Sequence, residues 1–254
     1  MKTVKLERIT SFLDEYLKTA EFNDHSWNGL QFEGAADVGK VAFAVDAGVD
    51  AFLAAAEAGA DMVVVHHGHF WRSANPSYAS WSKKRLDILW KNGISLYASH
   101  LPLDHHPVAG NNAGLLRLMG AKVTGEFGKY EGRAIGWRGK LKRPLTVDEL
   151  AGMLDSELDT RCRVLPFGAE KVSTIAALSG GGGYEIFFEA LNSGVDLYVT
   201  GDSIEVYHTA KDAGMNVIFA GHHATETVGL KALQKVVQKR FGVETVFIDL
   251  PTGL

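Results

Sequence analysis

Cysteine is nearly missing from this chain. Of 254 residues only Cys162 carries a thiol, so no intrachain disulfide can form, which suits a reducing compartment. Long apolar runs are missing too, and none approaches the ~20 residues of a membrane span. Neither sign of charge dominates. Lys and Arg number 26 against 30 Asp and Glu, a net charge of -4. That balance argues against bulk electrostatic binding to nucleic acid or to an anionic membrane surface. What is left is an ordinary globular composition, 46% hydrophobic and 22% charged. The chain is long enough to bury a large core, as one long domain or two smaller ones. In residues 1–18 the apolar positions Ile9, Phe12, Leu13, Tyr16 and Leu17 follow helical spacing, with Glu7, Asp14 and Glu15 between them. This pattern predicts an amphipathic helix rather than a signal peptide, and a cytoplasmic protein.

Short apolar runs then alternate with helical patterns. Residues 41–45 (VAFAV), 61–65 (DMVVV) and 94–98 (ISLYA) read as buried strands, with helices at 49–59 and 81–92. The second half repeats the theme, with strands at 173–178, 195–199 and 216–220 and helices at 184–192 and 206–213. Continuous apolar strands between helices predict an α/β protein with mostly parallel sheets covered on both faces, and sites at the carboxyl ends of the strands. The halves also overlay. Residues 61–67 fall on 196–202, and 95–100 fall on 217–222; in that second overlay Asp104 lands on Glu226. Each half therefore ends a strand with His-x-x-x-carboxylate, which points to an internal repeat. Between the halves, residues 125–139 are rich in glycine and 140–143 are basic; Thr146 and Glu149 form a capping box that opens a helix through Leu158. A lobe boundary is expected near Gly125. The division is 1–125, 126–227, and a tail of 228–254 whose helix and strand no rule assigns to either lobe.

The chemistry lies at those strand ends. His66 and His67 follow one strand, His100 stands four residues before Asp104, and His222 stands four before Glu226. Imidazole and carboxylate suit hard or borderline divalent ions such as Zn, Mn, Fe, Co or Ni rather than an iron–sulfur cluster. The set is too rich for one ion, so a two-metal hydrolytic centre is the first hypothesis. Asp104 can carry two oxygens to two metals. Pro102 disfavours helix at Leu101, so a turn is expected there. Asn111 is read as the N-cap of a helix over 112–119. Asp202 and His208 follow a strand and suit hydrogen-bond partners or substrate contacts. The glycine run 180–183 is neither a G-x-G-x-x-G fingerprint nor a P-loop. It is either a turn for close approach or an anion site. The basic run 140–143 reads as a solvated face. Phe70 and Trp71 could wall a pocket.

Taken together, Trp27-Asn28-Gly29-Leu30-Gln31, His66-His67-Gly68, Asp104-x-His106-Pro107-x-x-Gly110-Asn111-Asn112, Thr200-Gly201-Asp202 with His208, and Gly221-His222-x-x-x-Glu226 resemble the Nif-three-like, or YbgI-type, dinuclear-metal family. Its members are labelled GTP cyclohydrolase 1 type 2. The resemblance runs nearly end to end and lacks the central insertion of longer members. It implies two similar three-layer α/β lobes, assembly into a toroidal homohexamer, and two divalent ions per chain. It places the family's paired histidines on His66 and His67, its bridging aspartate on Asp104, and its C-terminal ligands on His222 and Glu226. The reading is a metal-dependent hydrolase acting on a small molecule, a nucleotide or related heterocycle, with His100, Asp202 or His208 relaying protons. The rival is a metal-storing, metal-delivering or scaffold protein in a ring assembly.

Overall fold

Alternation along consecutive buried strands builds the first unit. The computed structural model describes residues 2–254, and Met1, the first residue of the predicted N-terminal helix, lies outside them. The chain divides into two compact units, Met1–Leu103 with Leu230–Leu250, and Asp104–Gly229 with Pro251–Leu254. In chain order the first contains β1 (Val4–Lys5), α1 (Leu6–Leu17), β2 (Gly29–Phe32), β3 (Asp37–Val38), β4 (Lys40–Asp46), α2 (Val49–Glu57), β5 (Met62–His67), α3 (Ser80–Asn92) and β6 (Ser95–Ala98). A one-turn helix, α4 (Leu101–His105), follows. The expected turn at 101–103 is therefore helical, because proline is tolerated in the first turn, where its missing N–H has no intrahelical role.

The second unit runs through α5 (Asn111–Leu118), β7 (Ala121–Tyr130), β8 (Arg133–Leu145), α6 (Val147–Leu158), β9 (Arg163–Pro166), β10 (Val172–Leu178), α7 (Gly183–Asn192), β11 (Leu197–Thr200), α8 (Tyr207–Ala213) and β12 (Asn216–Phe219). Helix α9 (His222–Phe241) and strand β13 (Glu244–Phe247) complete the chain.

The first sheet has the order β13-β4-β5-β6-β2, parallel throughout except for β2 at its edge. Successive residues point to opposite faces of a strand. Val41, Phe43, Val45, Met62, Val64 and Tyr97 accordingly share one core with α1 and with Leu230, Leu233 and Val237 of α9. Ala42, Ala44, Val63, Val65, Leu96 and Ala98 share the opposite core with Phe52 of α2 and Leu89 of α3. This is a three-layer unit, and the two-sided burial is why its strands read as unbroken apolar runs.

In the second sheet, β7-β8-β10-β11-β12-β9, the central strands β10, β11 and β12 are parallel and the flanking strands antiparallel. Ile175, Ala177, Leu197, Val199 and Ile218 pack under α5 and α6. On the other face Tyr198 meets the rings of Phe127 and Phe187. The capping box on α6 is present as read.

The repeat has a structural counterpart. Asp61 caps the start of β4 by accepting from the Gly39 and Lys40 amides at 2.7 and 3.0 Å. Asp196, its partner in the overlay, accepts from the Ser173 and Thr174 amides at 2.9 and 2.8 Å.

One expectation is corrected, and two stretches that the sequence left open are placed. The division falls at Leu103/Asp104 rather than near Gly125, because α5 packs on β7, β8 and β10. Residues 230–250 join the first unit through the apolar face of α9 and the pairing of β13 with β4. The glycine-rich stretch is a hairpin of β7 and β8, turned at Glu131 and Gly132, both at positive φ as a tight two-residue turn requires. The basic run lies on β8, where Lys140, Lys142 and Arg143 are exposed and Leu141 is buried, so it is a solvated strand face. No helix among the described residues is long and apolar enough to cross a membrane.

Candidate metal centre

The first unit's candidate ligands stand at the carboxyl edge of three parallel strands. Asp46 ends β4 and pairs in register with His67, which ends β5, while Ser99 and His100 follow β6. The rings of His66, His67 and His100 lie 4.8 to 5.7 Å apart. One ring nitrogen of each falls within 4.8 Å of the others. These three imidazoles could together hold a metal ion.

Each ring is fixed through Nδ1. His66, fully buried, lies 3.0 Å from the Ser99 carbonyl oxygen; His67 lies 2.8 Å from Asp46 Oδ1; His100 lies 2.9 Å from Asp24 Oδ1. Engaging Nδ1 sets the tautomer and leaves Nε2 as the nitrogen that could ligate a metal, the arrangement of outer support usual for a metal-bound histidine.

Asp24 is the hub of this half. Its carboxylate, 3% exposed, also accepts from the amides of Ser26 and Leu101 and from the Asn28 side chain. Burial alone would raise its pKa, but the hydrogen bond and charge of His100 outweigh that and hold it well below the usual carboxylate range. Asn28 in turn accepts the His100 amide at 2.7 Å.

In the second unit His222 and Glu226 occupy the first turns of α9, where a spacing of four puts them on one face. His222 Nε2 lies 3.1 Å from Glu226 Oε1, and its Nδ1 lies 2.9 Å from Asp202 Oδ1. The bond to buried Glu226 lifts the imidazole pKa to about 9; burial opposes this, and the charges of Glu226 and Asp202 reinforce it. Asp104, also buried, accepts at Oδ1 from Asn111 Nδ2 and Ser179 Oγ, both at 2.8 Å.

The glycine run explains itself here. A Cβ on Gly180 would stand 2.4 Å from Glu226 Oε1, and one on Gly181 would stand 2.6 Å from Asp202 Oδ2. Gly180, at φ +58°, accepts from the amides of Gly201 and Asp202 and donates to Thr225 Oγ1. The run is a close-approach turn against the Glu226 and Asp202 carboxylates.

The structure thus brings together His66, His67 and His100 in one unit, and His222, Glu226 and Asp202 in the other. Asp104 has its own buried support. His208 is exposed on α8 with its ring against Tyr207. Asn111 is the first residue of α5, not its cap. Gly110 takes that place, and the Asn111 side chain instead bonds Asp104 and the Gly229 amide. Sequence reasoning missed Asp24, Asp46 and Ser179. Of these only Asp46, a carboxylate closing a buried strand, carried a positional signal.

The sequence matches the family described as Duf34/NIF3 (NGG1p interacting factor 3) over residues 4–253. A protein of Archaeoglobus fulgidus named GTP cyclohydrolase 1 type 2 homolog is 44% identical, the match covering 99% of this chain and all of that one. One of the same name from Pyrococcus horikoshii is 45% identical over 98% of this chain and 99% of its own. The solved structure of a protein called ybgI, described as of unknown function, superposes with a TM-score of 0.92 at 35% identity, covering 99% of this chain and 100% of that one. The chain belongs to the Duf34/NIF3 family.

Proposed function

We propose that this protein is a divalent-metal-dependent hydrolase with a dinuclear His/carboxylate centre, acting on a nucleotide or related heterocycle. The observation that carries this reading is the fate of Nδ1 in His66, His67, His100 and His222. Each meets a carboxylate or a backbone carbonyl within 3.0 Å. Such outer partners orient a histidine for a metal and raise its basicity.

His66, His67, Asp104, His222 and Glu226 are the proposed ligands for two ions per chain, of Zn, Mn, Fe, Co or Ni. All are nitrogen or oxygen donors, which fits borderline and hard ions. Bound ions would supply Lewis acidity and activate water near neutral pH. The chain's own groups do the positioning. Asp46 and the Ser99 carbonyl fix the two adjacent imidazoles, Asp202 fixes His222, and Ser179 with Asn111 fixes the Asp104 carboxylate. His100, backed by Asp24, is the favoured proton relay among His100, Asp202 and His208, because it alone joins the other two histidines of its unit. The names of the relatives support a nucleotide substrate class. The family resemblance adds homohexamer assembly, which light scattering of the purified protein would test.

The test is turnover of GTP and pterin-like compounds by protein loaded with each metal in turn. Metal-dependent turnover that disappears in Asp104→Ala supports the reading. Full metal loading without turnover of any substrate would favour a metal-holding scaffold.

A further inference from the structure

Strand β8 carries cations and no acid: Arg133, Arg138, Lys140, Lys142 and Arg143 all lie within Arg133–Leu145. Side chains alternate between the faces of a strand, so Arg138, Lys140 and Lys142 share one side, away from buried Leu141. All three are exposed, and their spacing of ~6.8 Å makes a row of ~14 Å. The neighbouring strand widens the row. Lys122 of β7 stands directly opposite Lys140 and is exposed as well. Gly125, opposite Arg138, brings no side chain, and the Arg138 guanidinium lies beside it, where a Cβ would stand 3.5 Å from Nη2.

This arrangement costs stability, because like charges directly opposite one another repel across a sheet. Protection of an open sheet edge by lysine does not account for it, since β8 lies inside the sheet, between β7 and β10. Local acids do not offset it either. None of the four side chains makes an ion pair among the described residues. The carboxylates of this sheet serve other groups. Asp196 accepts from the Ser173 and Thr174 amides and from Thr174 Oγ1, and Glu189 from the Gly128 and Lys129 amides. Glu126 of β7, paired with Trp137 on the other face, lies 3.3 Å from His105 Nε2. Helix α7 covers the basic face only farther along, where Phe127 and Phe187 meet Tyr198.

We propose that this face of β7 and β8 binds the phosphate backbone of double-stranded nucleic acid. A regular row of cations on a straight strand matches a polymer whose charges recur at fixed intervals. A single phosphate would need cations that converge on one point, and these stand in a line. No aromatic residue lies between Lys122, Arg138, Lys140 and Lys142 on this face to stack an unpaired base. The contact therefore takes hold of phosphates and does not read sequence. No apolar side chain lies between them either, as insertion into a bilayer surface requires. The charge of -4 over the whole chain hides this local excess. The face lies on the hairpin, and its binding does not need the metal.

The test is fluorescence anisotropy of a labelled DNA duplex of ~20 base pairs, titrated with the full chain between ~50 and ~200 mM salt. Backbone-only binding should give a Kd of ~1–100 μM near physiological salt. Four phosphate contacts should give a slope of about -3.6 for log K against log salt. Lys140→Ala and Lys142→Ala should each bring that slope about 1 closer to zero. Lys140→Glu with Lys142→Glu should abolish binding, with circular dichroism and metal content as in wild type. Lys84→Ala, at an exposed cation on α3, should leave the slope unchanged. No binding at the lowest salt, an affinity indifferent to salt, or one that the Lys140 and Lys142 substitutions do not move overturns the proposal. So does binding of single-stranded DNA, polyglutamate or anionic lipid vesicles as tight as that of the duplex.

Discussion

Asp24→Asn is the sharpest single perturbation of the first unit. The buried carboxylate meets four donors: His100 Nδ1 at 2.9 Å, Leu101 N and Ser26 N at 3.0 Å, and Asn28 Nδ2 at 2.8 Å. The amide keeps the shape and one acceptor oxygen but turns an NH2 toward donors. Hydrogen bonds to a charged group contribute about 1.5–3 kcal/mol each, and a buried donor left unmatched costs ~1–3 kcal/mol. These effects overlap, so a loss of ~2–4 kcal/mol is expected. At ~2–4 °C per kcal/mol for a domain of this size, the unfolding midpoint should fall by roughly 4–15 °C. The pH dependence has a definite sign. A carboxylate whose pKa is depressed in the folded state adds stability that is present above the unfolded value, near 3.8, and lost as pH falls through the folded one. The variant's deficit should therefore be complete at neutral pH and shrink in acid. Metal uptake should stay near wild type, because His100 serves as the relay and not as a ligand, and turnover should fall instead. Scanning calorimetry across pH, metal titration by calorimetry and the turnover assay measure these effects. A wild-type midpoint at pH 7, or a deficit that grows on acidification, refutes the reasoning.

His222 behaves in the opposite sense. Its pKa is raised to about 9 by Glu226 and Asp202, so in metal-free protein its contribution is complete below pH 6.5 and disappears as pH rises through about 9. Denaturation of wild type and His222→Gln over that range should show the gap closing upward, whereas a gap that widens contradicts the ion-pair geometry. Gly180→Ala puts a methyl 2.4 Å from Glu226 Oε1 at a positive φ, and should reduce metal uptake with every ligand still present. Gly68→Ala puts one 2.3 Å from Gln31 Nε2 and 2.7 Å from Ala98 Cβ. Overpacking of ~1–3 kcal/mol is expected, together with a changed tryptophan emission as Trp27 and Trp71 loosen.

The strands were legible because burial on both faces leaves no polar interruption: VAFAV and MVVV announce themselves at any register. His222 and Glu226 were legible because a helix converts a spacing of four into one face. The overlay of the halves was also legible, and its meaning deepened once Asp61 and Asp196 proved to hold equivalent strand starts. The β7/β8 hairpin escaped because glycines at 125, 128, 132, 136 and 139 interrupt the alternation that marks a strand. Helix α4 escaped because Pro102 reads as a breaker, although a first turn accepts it. Asp24 and Ser179 escaped for a different reason. Their role comes from partners 76 and 75 residues away, His100 and Asp104, and no local pattern encodes such a pairing.

The central claim is that these histidines and carboxylates hold metal, and elemental analysis of the purified protein tests it most directly. Wild type should carry about two divalent ions per chain, as a two-metal centre requires. Asp104→Ala, with its fold intact by circular dichroism, should fall toward none. Protein that takes up no divalent ion when each candidate metal is supplied, or an Asp104→Ala variant that keeps its full complement, contradicts the account.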